Sequence, residues 1–267
     1  MKFGRLIAFF LVLALSFTFL TSCSGKTEKR LAKADEHLSS NPYQIKISVD
    51  FDTAEEDIAG IFSELEKTVT TVWIDGDNFR SHNVTTIETS DAAYEFNTTY
   101  IAIGETAYRE ISYESDGIPL LPIKSYTFLN ATERQSLLYN VCRVGGVTIG
   151  GFANLSETKL DKKVLSITCT EASDEVKESL RKMMVSFFEG SLERAVVNSV
   201  VLTVNVKNNR YQTATVYCNY DVTIDGKVYS VSATVNMELS FGEEYRVYTP
   251  ADAAEYSIVR PEKLLPL

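Results

Sequence analysis

The last third of the chain is written in a period of two. Ala214, Val216, Cys218, Tyr220, Val222 and Ile224 fall on one face of an extended segment, and Tyr229, Val231, Ala233, Val235, Met237, Leu239 and Phe241 on one face of the next. Just before them, Val200, Leu202, Val204 and Val206 alternate with Val201, Thr203 and Asn205. Successive side chains of a strand point to opposite faces, so each run has one apolar and one polar side. That pattern belongs to an antiparallel sheet with one face covered and one face wet. Asn208-Asn209 and Asp225-Gly226 separate the runs with the residues that two-residue hairpin turns require. Whatever the chain folds into must hold three long hairpin-linked strands. It must also lay a helix, another sheet or a ligand against their apolar face.

The first half carries the same signature in shorter pieces. Tyr43, Ile45, Ile47, Val49 and Phe51 alternate with polar residues over Tyr43 to Asp52. Strands are expected over Lys67 to Ile74 and Phe79 to Glu88, joined by Asp75-Gly76. Two more are expected over Ala92 to Ile103 and Ala107 to Tyr113, joined by Gly104-Glu105. Thr53 to Glu64 reads as a loop with a possible helical turn, and Gly117 to Pro122 as an apolar, turn-rich linker. Leu165 to Thr170 is one more strand. Three helices are expected. One spans Lys29 to Ser40, with Leu31, Ala34 and Leu38 on one face. One runs through Leu138 and Val141, with Thr132 and Gln135 as its capping box. The third spans Ser173 to Glu189, N-capped by Ser173, with Val176, Leu180, Met183, Met184 and Phe187 in one stripe and Gly190 at its stop.

The amino terminus is of a different kind. Lys2 and Arg5 precede an apolar block from Leu6 to Phe19, then Leu20-Thr21-Ser22-Cys23, then a polar stretch from Ser24 to Arg30. A basic start, a short apolar region and small residues at a cut describe an export signal. The block is shorter than the ~20 residues that a spanning helix needs. Leu20 to Cys23 resembles the lipobox of bacterial lipoproteins. That resemblance implies a Cys23 thiol that receives an acyl chain such as palmitate and becomes the first residue of the mature chain. It divides the chain into a signal peptide (1–22), a lipidated cysteine with its tether (23–30) and one domain (31–267). It places the protein on the extracytoplasmic face of a bacterial cell membrane, held by its lipid anchor. An ordinary signal peptide with a stray cysteine, or an uncleaved anchor helix, is the alternative.

Composition narrows the function. There are 26 basic and 36 acidic residues, a net charge of −10. An acidic surface disfavours nucleic acid as a partner. Cys142, Cys169 and Cys218 are an odd set. Cys169 and Cys218 fall on apolar strand faces and read as buried thiols rather than a disulfide. No spacing suggests a zinc site. The two histidines, His37 and His82, read as solvated surface. Asp75-Gly76-Asp77-Asn78 lacks the length and closing glutamate of a calcium loop and reads as a hairpin turn. The sequons at Asn83, Asn97, Asn130 and Asn154 read as chance. With no nucleophile elbow, metalloprotease motif or phosphate loop, the chain reads as a non-enzyme without cofactor.

Three further stretches carry a second resemblance: Trp73-Ile74-Asp75-Gly76-Asp77-Asn78-Phe79-Arg80, Tyr100 to Tyr108, and Tyr248-Thr249-Pro250-Ala251-Asp252-Ala253-Ala254. With the order of elements, they resemble the lipoprotein carriers LolA and LolB and the mycobacterial LppX/LprG lipoproteins, whose anchored relatives also occur in Gram-positive bacteria. The resemblance implies an α+β fold: a strongly curved open antiparallel sheet, a half-barrel, with helices on its concave face. It implies a cavity for a lipid or other hydrophobic ligand, lined here by Met183, Phe187, Val216, Tyr220, Val231, Val235 and Met237. The alternative is a non-catalytic scaffold with a filled core that meets another envelope protein.

Overall fold

The structure is a computed structural model that describes residues 25–55, 58–59, 68–88, 93–115, 117–142, 151–160, 163–187 and 194–264. Within these, the side chains of residues 25–28, 87–88, 135, 139–142, 183 and 186–187 lie outside the description. Among the described residues a single sheet dominates. Its strands are β1 (Tyr43–Asp52), β2 (Thr68–Asp75), β3 (Asn78–Glu88), β4 (Ala93–Ile103), β5 (Thr106–Ser115), β6 (Ile118–Pro119), β7 (Ile123–Phe128), β8 (Phe152–Lys159), β9 (Val164–Ala172), β10 (Arg194–Lys207), β11 (Arg210–Ile224), β12 (Lys227–Phe241) and β13 (Ser257–Ile258). The helices are α1 (Gly25–Ser40), α2 (Ala131–Cys142), α3 (Asp174–Phe187) and α4 (Pro261–Leu264). None of them is long and apolar enough to cross a membrane.

The spatial order is β13-β7-β5-β4-β3-β2-β1-β12-β11-β10-β9-β8, with the short β6 paired to β5. Every pairing is antiparallel except the two-residue β13–β7 ladder. The N- and C-terminal halves meet at the centre, where β1 pairs with β12 over ten positions from Tyr43↔Phe241 to Asp52↔Ser232. The order is open, because β8 and β13 end it without pairing to each other. Sheets this wide curl rather than stay flat.

The predicted alternation holds wherever it was strong. Ile45, Val72, Val235, Val216, Leu202 and Cys169 lie on one inner face of adjacent strands and are buried. The outer face is polar and laced together. Asn236 donates to Asp50 at 2.9 Å, Ser232 to Asn219 at 2.9 Å, and Asn219 to Ser199 at 2.9 Å. Asn208 and Asn209 adopt φ values of 52° and 59° at the β10–β11 turn, a conformation their short polar side chains tolerate. A register shift between Val197 and Ser199 lets Ala195 and Val200 both point inward.

The α+β expectation is corrected. The helices form no layer over a concave face. α1 touches β10 and β11, α3 touches β10, α2 touches β2 and β3, and α4 touches β7. The reason is dimensional. Twelve strands side by side span roughly 55 Å, whereas the longest helix among the described residues, α1, has 16 residues and is about 24 Å long. The chain is a mostly β protein to which short amphipathic helices attach. Several elements went unread because their sequences alternate weakly: β6, β7 and β8, the short β13 and the closing helix α4. The capping box of α2 is displaced as well. Asn130 Oδ1 accepts from Glu133 N at 3.0 Å, and Glu133 Oε2 accepts from Asn130 N at 2.8 Å. The helix therefore starts at Asn130 rather than at Thr132.

α1 brings one titratable group into the core. The Tyr211 hydroxyl on β11 donates to Asp35 Oδ1 at 2.7 Å. Burial pushes the Asp35 carboxyl up from 3.8 to about 7, against the opposing pull of that hydrogen bond. The folded chain thus holds this proton more tightly than the unfolded chain does. The stabilisation is complete below about pH 4 and is lost as pH rises through 7. Thermal melts between pH 4 and 8 should show this loss in the difference between wild type and Asp35→Asn, because the half-buried His37 and His82, with lowered pKa values, contribute in the opposite sense. Asp35→Asn should remove that loss and stabilise the protein at pH 8 by about 1–3 kcal/mol.

Candidate functional site

The two halves of the inner face differ in chemistry. Under β9 to β12 it is core. Val216 pairs with Val235, Tyr220 with Val231 and Ala214 with Met237. Val216, Tyr220, Val231 and Val235 are buried and Met237 is half-buried. The apolar stripes of α1 (Leu31, Ala34, Leu38) and α3 (Val176, Leu180, Met184) belong to the same cluster. The Tyr220 hydroxyl donates to the Leu180 carbonyl at 3.4 Å and ties the strand to α3. The five predicted sheet positions are thus brought together, as neighbours in a packed interior. Met183 and Phe187 lie in α3 with their side chains outside the described ones, and Cys23 lies outside the described residues.

Under β2 to β7 the inner face changes row by row. Nearest the hairpin turns it is apolar, with Ile74, Phe79, Ala102 and Ala107 in register. α2 closes this end. Leu137 is buried there, and Arg134 Nη1 donates to the Gly104 carbonyl at the β4–β5 turn. Burial lowers the Arg134 pKa. The next row runs Val72, Ser81, Tyr100, Arg109 and Ser125. The row after it runs Thr70, Asn83, Thr98, Ile111 and Ile123. Beyond that stand Thr85, Phe96 and Tyr113.

This half contains polar atoms with nothing to bond. Ser81 is 0 % exposed and Ser125 is 3 % exposed. Both hydroxyls, Asn83 Oδ1 and Arg109 Nε are enclosed without a hydrogen-bond partner. Arg109 makes one contact, from Nη1 to the Leu264 carbonyl of α4 at 3.4 Å. Buried polar groups in native proteins are nearly always satisfied, by protein or by bound water, and these four share one face of the sheet. The far end is open. Phe96 and Tyr113 stack at 5.8 Å, yet remain 41 % and 42 % exposed. Ile123, opposite Ile111, is 64 % exposed.

Sequence reasoning missed this half. Ala107, Arg109, Ile111 and Tyr113 alternate with Tyr108, Glu110 and Ser112, so both faces are mixed and neither reads as a lining. The available signal was a lone cation between Ala107 and Ile111. The histidine expectation is also corrected. His37 Nδ1 lies 2.9 Å from Asn41 Nδ2, and its ring packs 4.7 Å from Phe241. His82 Nδ1 lies 2.9 Å from Thr99 Oγ1 on the outer face. Both are half-buried, and burial lowers the pKa of both. Cys169 and Cys218 are buried thiols outside any disulfide, and burial pushes Cys218 up to about 12. The Cys142 side chain lies outside those described. Asp75 to Asn78 forms the expected β2–β3 turn, with Gly76 at φ 60°. Among the described residues no cluster of three or more His, Cys, Asp or Glu could hold a metal ion.

No family model matches the chain, and no curated relative matches it. Among solved structures it is similar to a β-barrel-like protein of a domain of unknown function, DUF1849, from Brucella abortus. The identity is 12 %, the match covers 76 % of this chain and 98 % of that one, and the TM-score is 0.29. It is also similar to an N-terminal dehydratase from the difficidin assembly line, at 12 % identity, 80 % and 84 % coverage and a TM-score of 0.14. The dehydratase domain of the CurF module of curacin polyketide synthase gives 10 % identity, 83 % and 84 % coverage and a TM-score of 0.17. Likenesses at this level carry no argument about activity.

Proposed function

We propose that this protein is a membrane-anchored extracytoplasmic lipoprotein, without catalytic activity, that binds a lipid or similar hydrophobic ligand on the inner face of its sheet. The observation that carries the reading is the apolar strip of Phe96, Tyr113, Ile111 and Ile123. It continues the inner face beyond the core and is left partly open to solvent. A strip of this kind gains roughly 25 cal/mol for each Å² of apolar surface removed from water. From Arg109 to Tyr113 it runs about 13 Å along the strand, enough to seat a medium-length acyl chain. The inner positions of β2 to β7 carry no Asp or Glu, so no acid/base pair faces the strip. The anchor at Cys23 and the polar tether after it would hold the domain beside its source of lipid.

The test is native mass spectrometry of the chain from Gly25 onward, purified gently from a bacterial host. A bound mass that denaturation releases as lipid is expected, and Ile123→Asp should reduce its occupancy several-fold. A clean apo mass, unchanged after incubation with membrane lipid extract, would overturn the reading. The filled core around Val216 and Tyr220 would then favour an interaction domain for another envelope protein.

A further inference from the structure

Resting on that reading, we propose that the site selects an amphiphile whose acyl chain ends in a carboxylate, and that Arg109, with Ser125 paired beside it, receives the headgroup on a face shared with Ser81 and Asn83. Four observations converge. First, these side chains share one face, with Arg109 paired directly to Ser125, and Ser81 and Asn83 two strands away across β4. Ser81 and Ser125 flank the Tyr100–Arg109 pair in one row, and Asn83 lies two residues further along β3 on the same face. Second, they hold enclosed polar atoms with no protein partner, including two hydroxyls and a guanidinium N–H that can donate. Third, Arg109 is the single ionised side chain among the inner positions of β2 to β7, and among the described residues no carboxylate bonds to it. Its one contact is a carbonyl. A half-buried guanidinium whose Nε is enclosed and unbonded would gain charge-assisted hydrogen bonds from an entering carboxylate.

Fourth, the polar row has a place in a sequence of rows. On one side α2 and the apolar row at Ala102 and Ala107 close the face. On the other side Ile111, Ile123, Phe96 and Tyr113 lead outward to solvent. A ligand lying along these rows would place its head at the polar row and its chain along the strip. Arg109 and Asn83 are half-buried, whereas Ser81 and Ser125, in the same row as Arg109, are buried. The net charge of −10 does not prevent this. The acids flanking Arg109 in sequence project to the outer face, and charges beyond about 8–10 Å are screened at physiological salt.

Titration calorimetry on the chain from Gly25 onward, which holds every described element, tests the proposal with dodecanoate and dodecanol. Dodecanoate should bind about ten- to a hundredfold more tightly than dodecanol, the range expected for hydrogen bonds to a charged group. Arg109→Gln should abolish that preference while leaving dodecanol affinity within about twofold, which also shows that the variant is folded. Ile123→Asp should weaken both ligands together. Equal affinities in the wild-type protein, or a preference that survives in Arg109→Gln, would overturn the headgroup assignment and leave the lipid-binding reading standing. Binding of neither ligand would overturn both. Dodecyl phosphate serves as the competing source of anionic chemistry. If it binds more tightly than dodecanoate, the carboxylate assignment is wrong.

Discussion

A chain ended after Tyr245 should unfold at markedly lower urea concentration and self-associate. The segment it loses is a strap. Val247 N donates to Asp75 Oδ2 at 3.4 Å at the β2–β3 turn. The segment then crosses the outer face of β5 and β7. Tyr256 packs edge-on against Tyr108 at 5.3 Å, and its hydroxyl donates to Glu110 at 3.0 Å. Lys124 of β7 bonds Asp252, and Glu255 at 2.6 Å. Next the segment runs beside β7 as β13, and α4 sets Leu264 into the core next to Arg109. One short segment therefore grips both faces of the sheet around its edge.

Val247, Tyr256 and Leu264 are all buried, and burying each contributes roughly 1.5–3 kcal/mol. After the chain entropy that the cut segment would have lost on ordering, the expected net loss is about 3 kcal/mol or more. The uncovered β7 would also present an edge beside Tyr108, Tyr126 and Phe128, which is the geometry that invites strand pairing between molecules. Urea unfolding and size-exclusion chromatography read both effects. An unchanged midpoint with a monomeric profile would show that the strap is dispensable.

Replacing Cys23 with Ser should move the protein from the membrane fraction to the soluble fraction of its native host almost completely. The reasoning is that of lipid anchoring. Each buried methylene contributes about 0.8 kcal/mol, one chain holds only marginally, and two suffice for stable attachment. With the thiol gone no chain can be attached there. The ~14-residue apolar block from Leu6 to Phe19 is too short to span a bilayer in its place. Fractionation followed by mass analysis of the N-terminal peptide reads the result. Retention of the variant in the membrane would mean that the apolar block itself is the anchor. An unmodified Cys23 in the wild-type protein would mean that the lipobox resemblance is accidental.

How much of this was legible in the sequence depended on contrast between faces. Strands such as Tyr43–Asp52 and Lys227–Phe241 could be read because one side is Ile, Val, Tyr and Met and the other is Lys, Ser, Thr and Asn. Ile123–Phe128 could not, since its outer face carries Tyr126 and Phe128 and its inner face Ser125 and Thr127. Phe152–Lys159 is an edge strand whose exposed side chains hide the period. Capping was legible in kind but misplaced by two residues, because Asn130-Ala131-Thr132-Glu133 offers two overlapping cap patterns and only the geometry selects one. The cavity lining inferred for Val216, Tyr220, Val231 and Val235 followed from apolarity alone. Apolarity is shared by a lining and by a core, and the helices laid against these residues decide between the two.

By itself, then, the sequence determined the period-two strands, their turns and the amphipathic helices. All of these are local, set by side-chain order along a few residues. The strand order, the width that leaves the helices too short to form a layer, and the strap around β7 were decided only by tertiary structure. So was the meeting of Ser81, Asn83, Arg109 and Ser125 on one face. Those four side chains come from three strands spread over more than forty residues, and each is an unremarked polar residue in its own strand. Only antiparallel register sets them on one face, because register is fixed by the hydrophobic pattern and the hairpin turns of these strands and not by the four residues themselves.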